Sequence, residues 1–361
     1  MKTLSGKIMA GKHQLNIAVI GVGKLGEFHT KLLKEICAEQ KNVHLTGVFD
    51  LNQTRAAEIA KKYKTDAFED FDAIINGCDA AVIATTTSSH FEIARPLLET
   101  GKHLFIEKPI TKTLDEAERL IALEKAHGCK VQVGHIERFN PALQAVEPYL
   151  GTPLYIMAER LSGFSKRVSD VSVILDLMIH DIDLILSIVK SRVINIGASG
   201  VSVFSDELDM ASARMEFENG AVANVSASRI SRTKSRKVRF FSKNPNSYAS
   251  LDLTNGKSEI FRIVEKSEKR TGSLKEFATE KIISMFGDIG DMLEDKAIEY
   301  ISPDVPKTNA LKCELEAFVS SILEDKPVVV TSHDGMQAVE IAIQISEAIA
   351  VNRRMQKEIL G

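Results

Sequence analysis

The sequence predicts an α/β protein: a doubly wound parallel sheet in its N-terminal part, then an α+β domain with a mostly antiparallel sheet. Three observations carry this. From Asn16 to Val133 short apolar segments alternate with amphipathic ones. A glycine turn, Gly21-Val22-Gly23-Lys24-Leu25-Gly26, separates the first apolar segment from the first amphipathic one. After Pro141 the texture changes to alternating segments, two of them joined by Asn219-Gly220. Strand–helix alternation specifies parallel strands with right-handed crossovers, whereas alternating segments joined by tight turns specify antiparallel pairing.

In chain order the expected strands are Asn16–Ile20, His44–Phe49, Ala80–Ala84, His103–Ile106 and Lys130–Val133, and the helices between them Lys24–Glu39, Gln53–Tyr63, His90–Glu99 and Leu114–His127. Asp70 through Gly77 reads as a short helix and turn feeding the Ala80 strand. Beyond Pro141 an apolar helix, Val173–Val189, precedes strands at Ala211–Phe217, Ala221–Ser228 and Val238–Phe241, and Asn219-Gly220 signals a type I′ hairpin. Thr254 to Tyr300 is charge-rich and receives no assignment; Thr308–Glu324 and Asp334–Val351 read as closing helices. The expected domains are an arm over 1–15, a dinucleotide domain over 16–140 and an α+β domain over 141–361, its last helix packing back toward the first domain.

At 361 residues the chain is long for one compact core and suits two domains. A formal net charge of −3 gives no reason to expect a nucleic-acid or membrane-surface partner. No apolar run reaches the roughly 18 residues that span a bilayer. Met1 to Gln14 contains lysines but no apolar core segment, so it reads as an arm and not as a secretory signal. Cys37, Cys78, Cys129 and Cys313 lie far apart, which fits reduced thiols in a cytoplasm.

The glycine turn has the context that a dinucleotide fingerprint requires. Gly21 serves the tight turn, Gly23 the close approach of a pyrophosphate, and Gly26 the packing of helix on strand, with Lys24 and Leu25 in the opening helical turn whose N–H groups face the phosphates. Asp50 ends the second strand where an acid binds ribose hydroxyls; a carboxylate there repels a 2′-phosphate, which favours NAD over NADP, while nearby Arg55 would soften the preference. The third unit ends Ala84-Thr85-Thr86-Thr87-Ser88-Ser89-His90. Thr85, Thr87 and His90 are assigned to the cofactor; the competing reading has Ser88 or Ser89 capping a helix with His90 in its first turn.

Two further segments carry chemistry. His103-Leu104-Phe105-Ile106-Glu107-Lys108-Pro109 is an apolar strand stopped by a proline, which leaves Lys108 at a strand's carboxyl end, where open α/β sheets bind ligands. Lys108 is therefore either a salt-bridged surface residue or a catalytic acid, and Glu107 is assigned to the cofactor side. In Asp176-Leu177-Met178-Ile179-His180-Asp181-Ile182-Asp183, spacings of four and three put Asp176, His180 and Asp183 on one helical face. Asp176 can orient the imidazole and raise its basicity, as a general base needs; the bland alternative is the wet stripe of an amphipathic helix. No cysteine/histidine/carboxylate cluster has zinc-ligand spacing, so the expectation is a metal-free dehydrogenase.

The order of glycine turn, Glu107-Lys108-Pro109 and Asp176-x-x-x-His180-x-x-Asp183 resembles the glucose–fructose oxidoreductase / inositol dehydrogenase / rhizopine-catabolism (Gfo/Idh/MocA) family, from Asn16 to about Val351. The resemblance implies an N-terminal Rossmann domain binding NAD, with Lys108, Asp176 and His180 catalytic and Asp183 an acid near the substrate. Thr86 stands where many members have proline, and Ser172-Val173-Ile174 replaces a glycine-rich approach to the helix. Val133 to Pro141, taken with the Asp176 helix, is similar to family members acting on UDP-N-acetylglucosamine, which oxidise its C3 hydroxyl on the way to 2,3-diamino sugars of lipid A-type glycolipids. An inositol or free-sugar dehydrogenase is the alternative within the family, and a non-catalytic NAD-sensing regulator ranks below both. For a nucleotide-sugar pyrophosphate, Arg138, Arg160, Lys166 and Arg167 are the expected cations. The run Arg229, Arg232, Lys234, Arg236, Lys237, Arg239 is another candidate for that role, with a solvated strand edge the favoured reading. The second sheet is the expected interface of a homo-oligomer, a dimer or tetramer, as in relatives.

Overall fold

The computed structural model describes residues 14–163, 172–265 and 295–360, with side chains to residue 353. Most of the expected arm, together with Lys166 and Arg167, lies outside the described residues. The chain forms two compact units. One runs to His135 and takes in Leu311–Met336; the other comprises Ile136–Ala310 and the chain from Gln337.

The first unit runs β1 (Leu15–Ile20), α1 (Lys24–Glu39), β2 (Val43–Phe49), α2 (Gln53–Tyr63), β3 (Asp66–Ala67), α3 (Phe71–Gly77), β4 (Ala80–Ile83), α4 (Thr87–Glu99), β5 (His103–Glu107), α5 (Leu114–His127) and β6 (Val131–Gly134). Its six strands lie in the order β3-β2-β1-β4-β5-β6, all parallel. The order reverses beside β1, so β1 and β4 open the crevice outside their carboxyl ends where such sheets bind ligands. Every residue of β4 and of β6 is buried, as expected of strands covered on both faces. Helix α5 is bounded by a Thr113/Glu116 capping box and by Gly128 at φ +65°.

The core of this unit gathers Ile17, Val19, Leu33, Ile36, Val82 and Phe105 with Leu315, Phe318 and Val319. The last three come from α8 (Ala310–Leu323), the penultimate helix. The phenyl ring of Phe105 meets that of Phe318 edge to face at 6.0 Å. Of the two closing helices, α8 completes the first core, while α9 (Ser332–Leu360) starts in the first unit and continues into the second.

The second unit opens with a 3₁₀ turn at Ile136–Phe139, five residues before the expected boundary, and with α6 (Pro141–Val146). Then follow β7 (Thr152–Leu161), α7 (Ile179–Val189), β8 (Val193–Val201), β9 (Met210–Phe217), β10 (Val222–Ser228), β11 (Ser235–Lys243), β12 (Ser247–Asp252), β13 (Lys257–Glu265) and β14 (Lys296–Ile301). The strand order is β14-β13-β12-β11-β7-β10-β9-β8, antiparallel throughout except for the parallel β7–β10 pair. Thus the unassigned stretch contains β13 and β14, and its residues 266–294 lie outside the described residues.

The β9–β10 turn is not type I′. Gly220 has φ +84° but Asn219 has no positive φ, and Phe217 accepts from Gly220 while donating to Ala221. That is a three-residue turn closed by a left-handed glycine bulge. The basic run also differs from expectation: β11 is an interior strand between β12 and β7, and Arg229 is buried against Asp209 at 2.8 Å.

Because Phe318 is fully buried and bridges α8 to Phe105, Phe318→Ala is expected to cost about 3–5 kcal/mol, read as a lower urea midpoint of the first unit.

Candidate active site

In the first unit Gly21 and Gly26 have separate steric reasons, while Gly23 faces open space. Gly21 has φ +85°, and a Cβ there would come within 2.6 Å of the Thr85 side chain. A Cβ on Gly26 would lie 1.8 Å from the Gly21 carbonyl oxygen, so only glycine lets α1 seat against β1. A Cβ on Gly23 would meet nothing within 4 Å. Gly23 is the N-cap of α1 and supplies no capping side chain, so the first-turn N–H groups are left for a ligand. Lys24 and Leu25 point their side chains to solvent, which leaves their main chain as what they offer a phosphate.

Asp50 locks this turn from the end of β2. Its Oδ2 accepts from Val22 N at 2.8 Å and its Oδ1 from Asn52 N at 2.9 Å. Each oxygen retains a lone pair for a ribose hydroxyl. Arg55 is not available for a 2′-phosphate. Its Nε donates to the Val22 carbonyl at 3.0 Å and its Nη2 lies 2.5 Å from Glu27 Oε2. Lys62, at 2.7 Å, and Arg55 together hold the Glu27 carboxyl below the usual carboxylate range. The open face over Gly23, the uncapped helix end and the acid at Asp50 fit NAD, whose nicotinamide accepts a hydride.

At the carboxyl end of β4, Ser89 Oγ donates to Thr85 Oγ1 at 2.9 Å, and α4 starts at Thr87 with Thr86 as N-cap. His90 departs from its cofactor assignment. It is 1% exposed, with Nδ1 2.9 Å from the Pro109 carbonyl and Nε2 3.3 Å from the Thr85 carbonyl. It therefore ties the turn after β4 to the turn after β5, and burial pushes its pKa down despite the two carbonyls.

Glu107 also turns inward. It is 7% exposed, and its Oε1 lies 2.7 Å from Nε2 of His29, a fully buried residue of α1. Its Oε2 accepts from Lys108 N at 3.3 Å. A Cβ on Gly134 would come within 3.0 Å of the same oxygen, so the glycine that ends β6 makes room for this carboxylate. The acid thus supports the turn that carries half-buried Lys108, whose bond to Pro109 is cis. His29 was invisible in the sequence, where it reads as one polar position of an amphipathic helix.

In the second unit the expected continuous helix is interrupted. Ile174–Met178 forms one π-helical turn, and α7 begins at Ile179. Asp176 sits in the π turn and His180 in the first turn of α7, so their four-residue spacing crosses a wider turn than the α geometry assumed. Ser172 starts this segment, its Oγ accepting from Ile174 N at 3.2 Å and its carbonyl from Asp176 N at 3.0 Å. π turns inside helices concentrate at functional sites.

Two of the arginines assigned to substrate, Arg138 and Arg160, are paired with carboxylates. Arg138 grips Asp183 bidentately, Nε to Oδ2 at 2.8 Å and Nη2 to Oδ1 at 2.6 Å. Arg160, 2% exposed, does the same to Asp181 at 2.7 and 2.8 Å and reaches Glu137 at 2.8 Å. Asp183, 1% exposed, is likewise a paired interior residue. Arg167 lies outside the described residues.

A parallel dinucleotide sheet with a glycine turn and an acid at the second strand, in a chain whose second unit carries an acid–histidine helix, defines an NAD-dependent oxidoreductase. The comparisons agree. Residues 15–135 match the family model described as "Oxidoreductase family, NAD-binding Rossmann fold" and residues 151–244 the Gfo/Idh/MocA C-terminal domain. UDP-N-acetylglucosamine 3-dehydrogenase of Acidithiobacillus ferrooxidans is 35% identical over 93% of this chain and 97% of its own length. A solved structure of that enzyme superposes with a TM-score of 0.79, covering the same shares. The scyllo-inositol 2-dehydrogenase (NAD(+)) of Bacillus subtilis is 28% identical over 61% of this chain and 69% of its own. The chain belongs to the Gfo/Idh/MocA oxidoreductase family.

His90 gives a pH dependence whose sign follows from its burial. Its folded pKa lies below the ordinary value near 6.5, so the unfolded chain takes up a proton first and stability falls as pH drops below about 6.5. Urea midpoints across about pH 5 to 8 should therefore decline on the acid side, and His90→Gln should flatten that decline while lowering the midpoint at the alkaline end.

Proposed function

We propose that this enzyme oxidises the C3 hydroxyl of UDP-N-acetylglucosamine with NAD, releasing a 3-keto sugar nucleotide that a transaminating enzyme carries to a 2,3-diamino sugar for lipid A-type glycolipids. The observation that carries this reading is the 35% identity over nearly the full length to a UDP-N-acetylglucosamine 3-dehydrogenase. That span includes Lys108, Asp176 and His180 in their expected order.

Oxidising a secondary alcohol removes a hydride and a proton. His180 takes the hydroxyl proton, being the side chain suited to proton transfer near neutrality. Asp176, one π turn earlier, orients the imidazole and stabilises its charged form. Lys108 stabilises the developing oxyanion by its positive charge. With Arg138 and Arg160 paired with carboxylates, Lys166 and Arg167 are the expected cations left for the substrate pyrophosphate.

A second reading, an inositol or free-sugar dehydrogenase, rests on the likeness to inositol dehydrogenases, which is lower in identity and covers less of the chain. A non-catalytic NAD sensor has no need of the lysine and histidine retained here.

The open face of the second sheet supports the homo-oligomer. Tyr155, Phe241, Tyr248, Phe261 and Tyr300 stand in register across five strands, with ring centroids 5.0–6.2 Å apart. Met157 and Phe241 are each 39% exposed, an apolar face of the kind that copies of a chain cover. We place the enzyme in the cytoplasm, in keeping with four free cysteines; no helix among the described residues is long and apolar enough to cross a membrane.

The test is NADH formation with UDP-N-acetylglucosamine, coupled to an enzyme that consumes the 3-keto product, set beside free sugars and inositols. Turnover with the UDP-sugar is expected, with Lys108→Ala and His180→Ala each losing at least about 100-fold in kcat. Strong turnover of an inositol independent of any UDP group would replace this reading with the second one.

A further inference from the structure

The second unit buries charges that the proposed reaction does not use. Glu137, Asp181 and Asp183 are 3%, 2% and 1% exposed, and Arg138, Arg160 and half-exposed Arg236 balance them. Removing an ion from water costs several kcal/mol unless a partner and further hydrogen bonds replace the lost solvation. Here the replacement is geometric as well as electrostatic. A bidentate guanidinium–carboxylate pair fixes the plane of both groups, not only their separation.

Asp181 and Asp183 lie one and three residues beyond His180 on α7. At about 100° per residue they project about 160° apart around the helix, with His180 in the arc between them. Arg160 on β7 and Arg138 on the 3₁₀ turn therefore hold α7 from two sides. Arg160 is itself anchored by Glu137, which accepts from Asn140 Nδ2 at 3.0 Å and from Arg236 at 3.4 Å. The helix makes its π turn over Ile174–Met178, two residues short of His180, and such single π turns inside helices are rare and frequent at functional sites.

We propose that Arg138 and Arg160 are positioning residues: through Asp183 and Asp181 they set the rotation of α7 and hence the direction of the His180 imidazole. This rests on the reading of His180 as the proton acceptor. It replaces the expectation that these arginines bind the substrate pyrophosphate, and the two roles separate kinetically. A group that contacts substrate alike in ground and transition states changes KM, whereas one that aims the base changes kcat.

The experiment compares Arg138→Lys, Asp183→Asn and Arg160→Lys with wild type and with Arg192→Ala, a change in an exposed surface pair. Arg138→Lys keeps the charge but cannot make two parallel bonds. It should lower kcat by on the order of 10- to 100-fold with KM within about threefold, and displace the pH–rate profile. The Cε1–H resonance of His180, assigned by its loss in His180→Gln, should move in Arg138→Lys and Asp183→Asn but not in Arg192→Ala. A raised KM with unchanged kcat would overturn the proposal in favour of substrate contact, as would an unmoved resonance in folded Arg138→Lys protein. If wild type fails to oxidise UDP-N-acetylglucosamine, the substrate reading falls alone. The resonance, and kcat on whichever alcohol is oxidised, still decide the positioning role.

Discussion

The structure depends on how its buried carboxylates are held. In the first unit Glu107 lies against His29 at 2.7 Å and gives its other oxygen to Lys108 N, so the end of β5 is bonded to the helix that opens at the glycine turn. Were His29 an apolar residue, Glu107 would be buried without that partner, and a buried unpaired carboxylate costs far more than the bond contributes. In the second unit the same constraint is met by two bidentate arginine pairs. The end of β5 and the start of α7 are thereby each fixed by a charge that cannot leave without exposing an unpaired partner.

A division of labour follows. Groups with solvent-facing atoms and unfilled hydrogen-bonding capacity, the first-turn N–H groups of α1 and the Asp50 oxygens, are those suited to a cofactor. Glu107, His90, Arg138, Arg160 and Asp183 occur in or near sequence motifs yet point inward, and they shape the turns that Lys108 and His180 occupy. Sequence motifs thus mark both the side chains proposed to react and the buried side chains near them, and burial tells them apart.

The first unit was legible because its signals are local. Strands covered on both faces read as apolar runs, and the steric reasons for Gly21 and Gly26 lie within one turn and its neighbouring strand. The second sheet was less so. β7 alternates buried and exposed residues through Pro153 and Glu159, and most of β8 lies outside the core, so neither shows an apolar run. The π turn leaves the apolar spacing around Asp176 unchanged and is silent in sequence. The pairing of Arg138 with Asp183 and of Arg160 with Asp181 joins residues 45 and 21 positions apart, and no local pattern announces which arginine will be consumed inside the fold. Conversely, the order of glycine turn, Glu-Lys-Pro and acid–histidine helix was plain, since it depends on residue identity and not on partners.

In the proposed reaction a hydride leaves C3 of the sugar while His180 takes the hydroxyl proton. The most direct measurement supplies UDP-N-acetylglucosamine carrying deuterium at C3 and weighs the reduced nicotinamide by mass spectrometry. The label is expected in the reduced cofactor, one mass unit heavier. Unlabelled NADH formed from that substrate would contradict it.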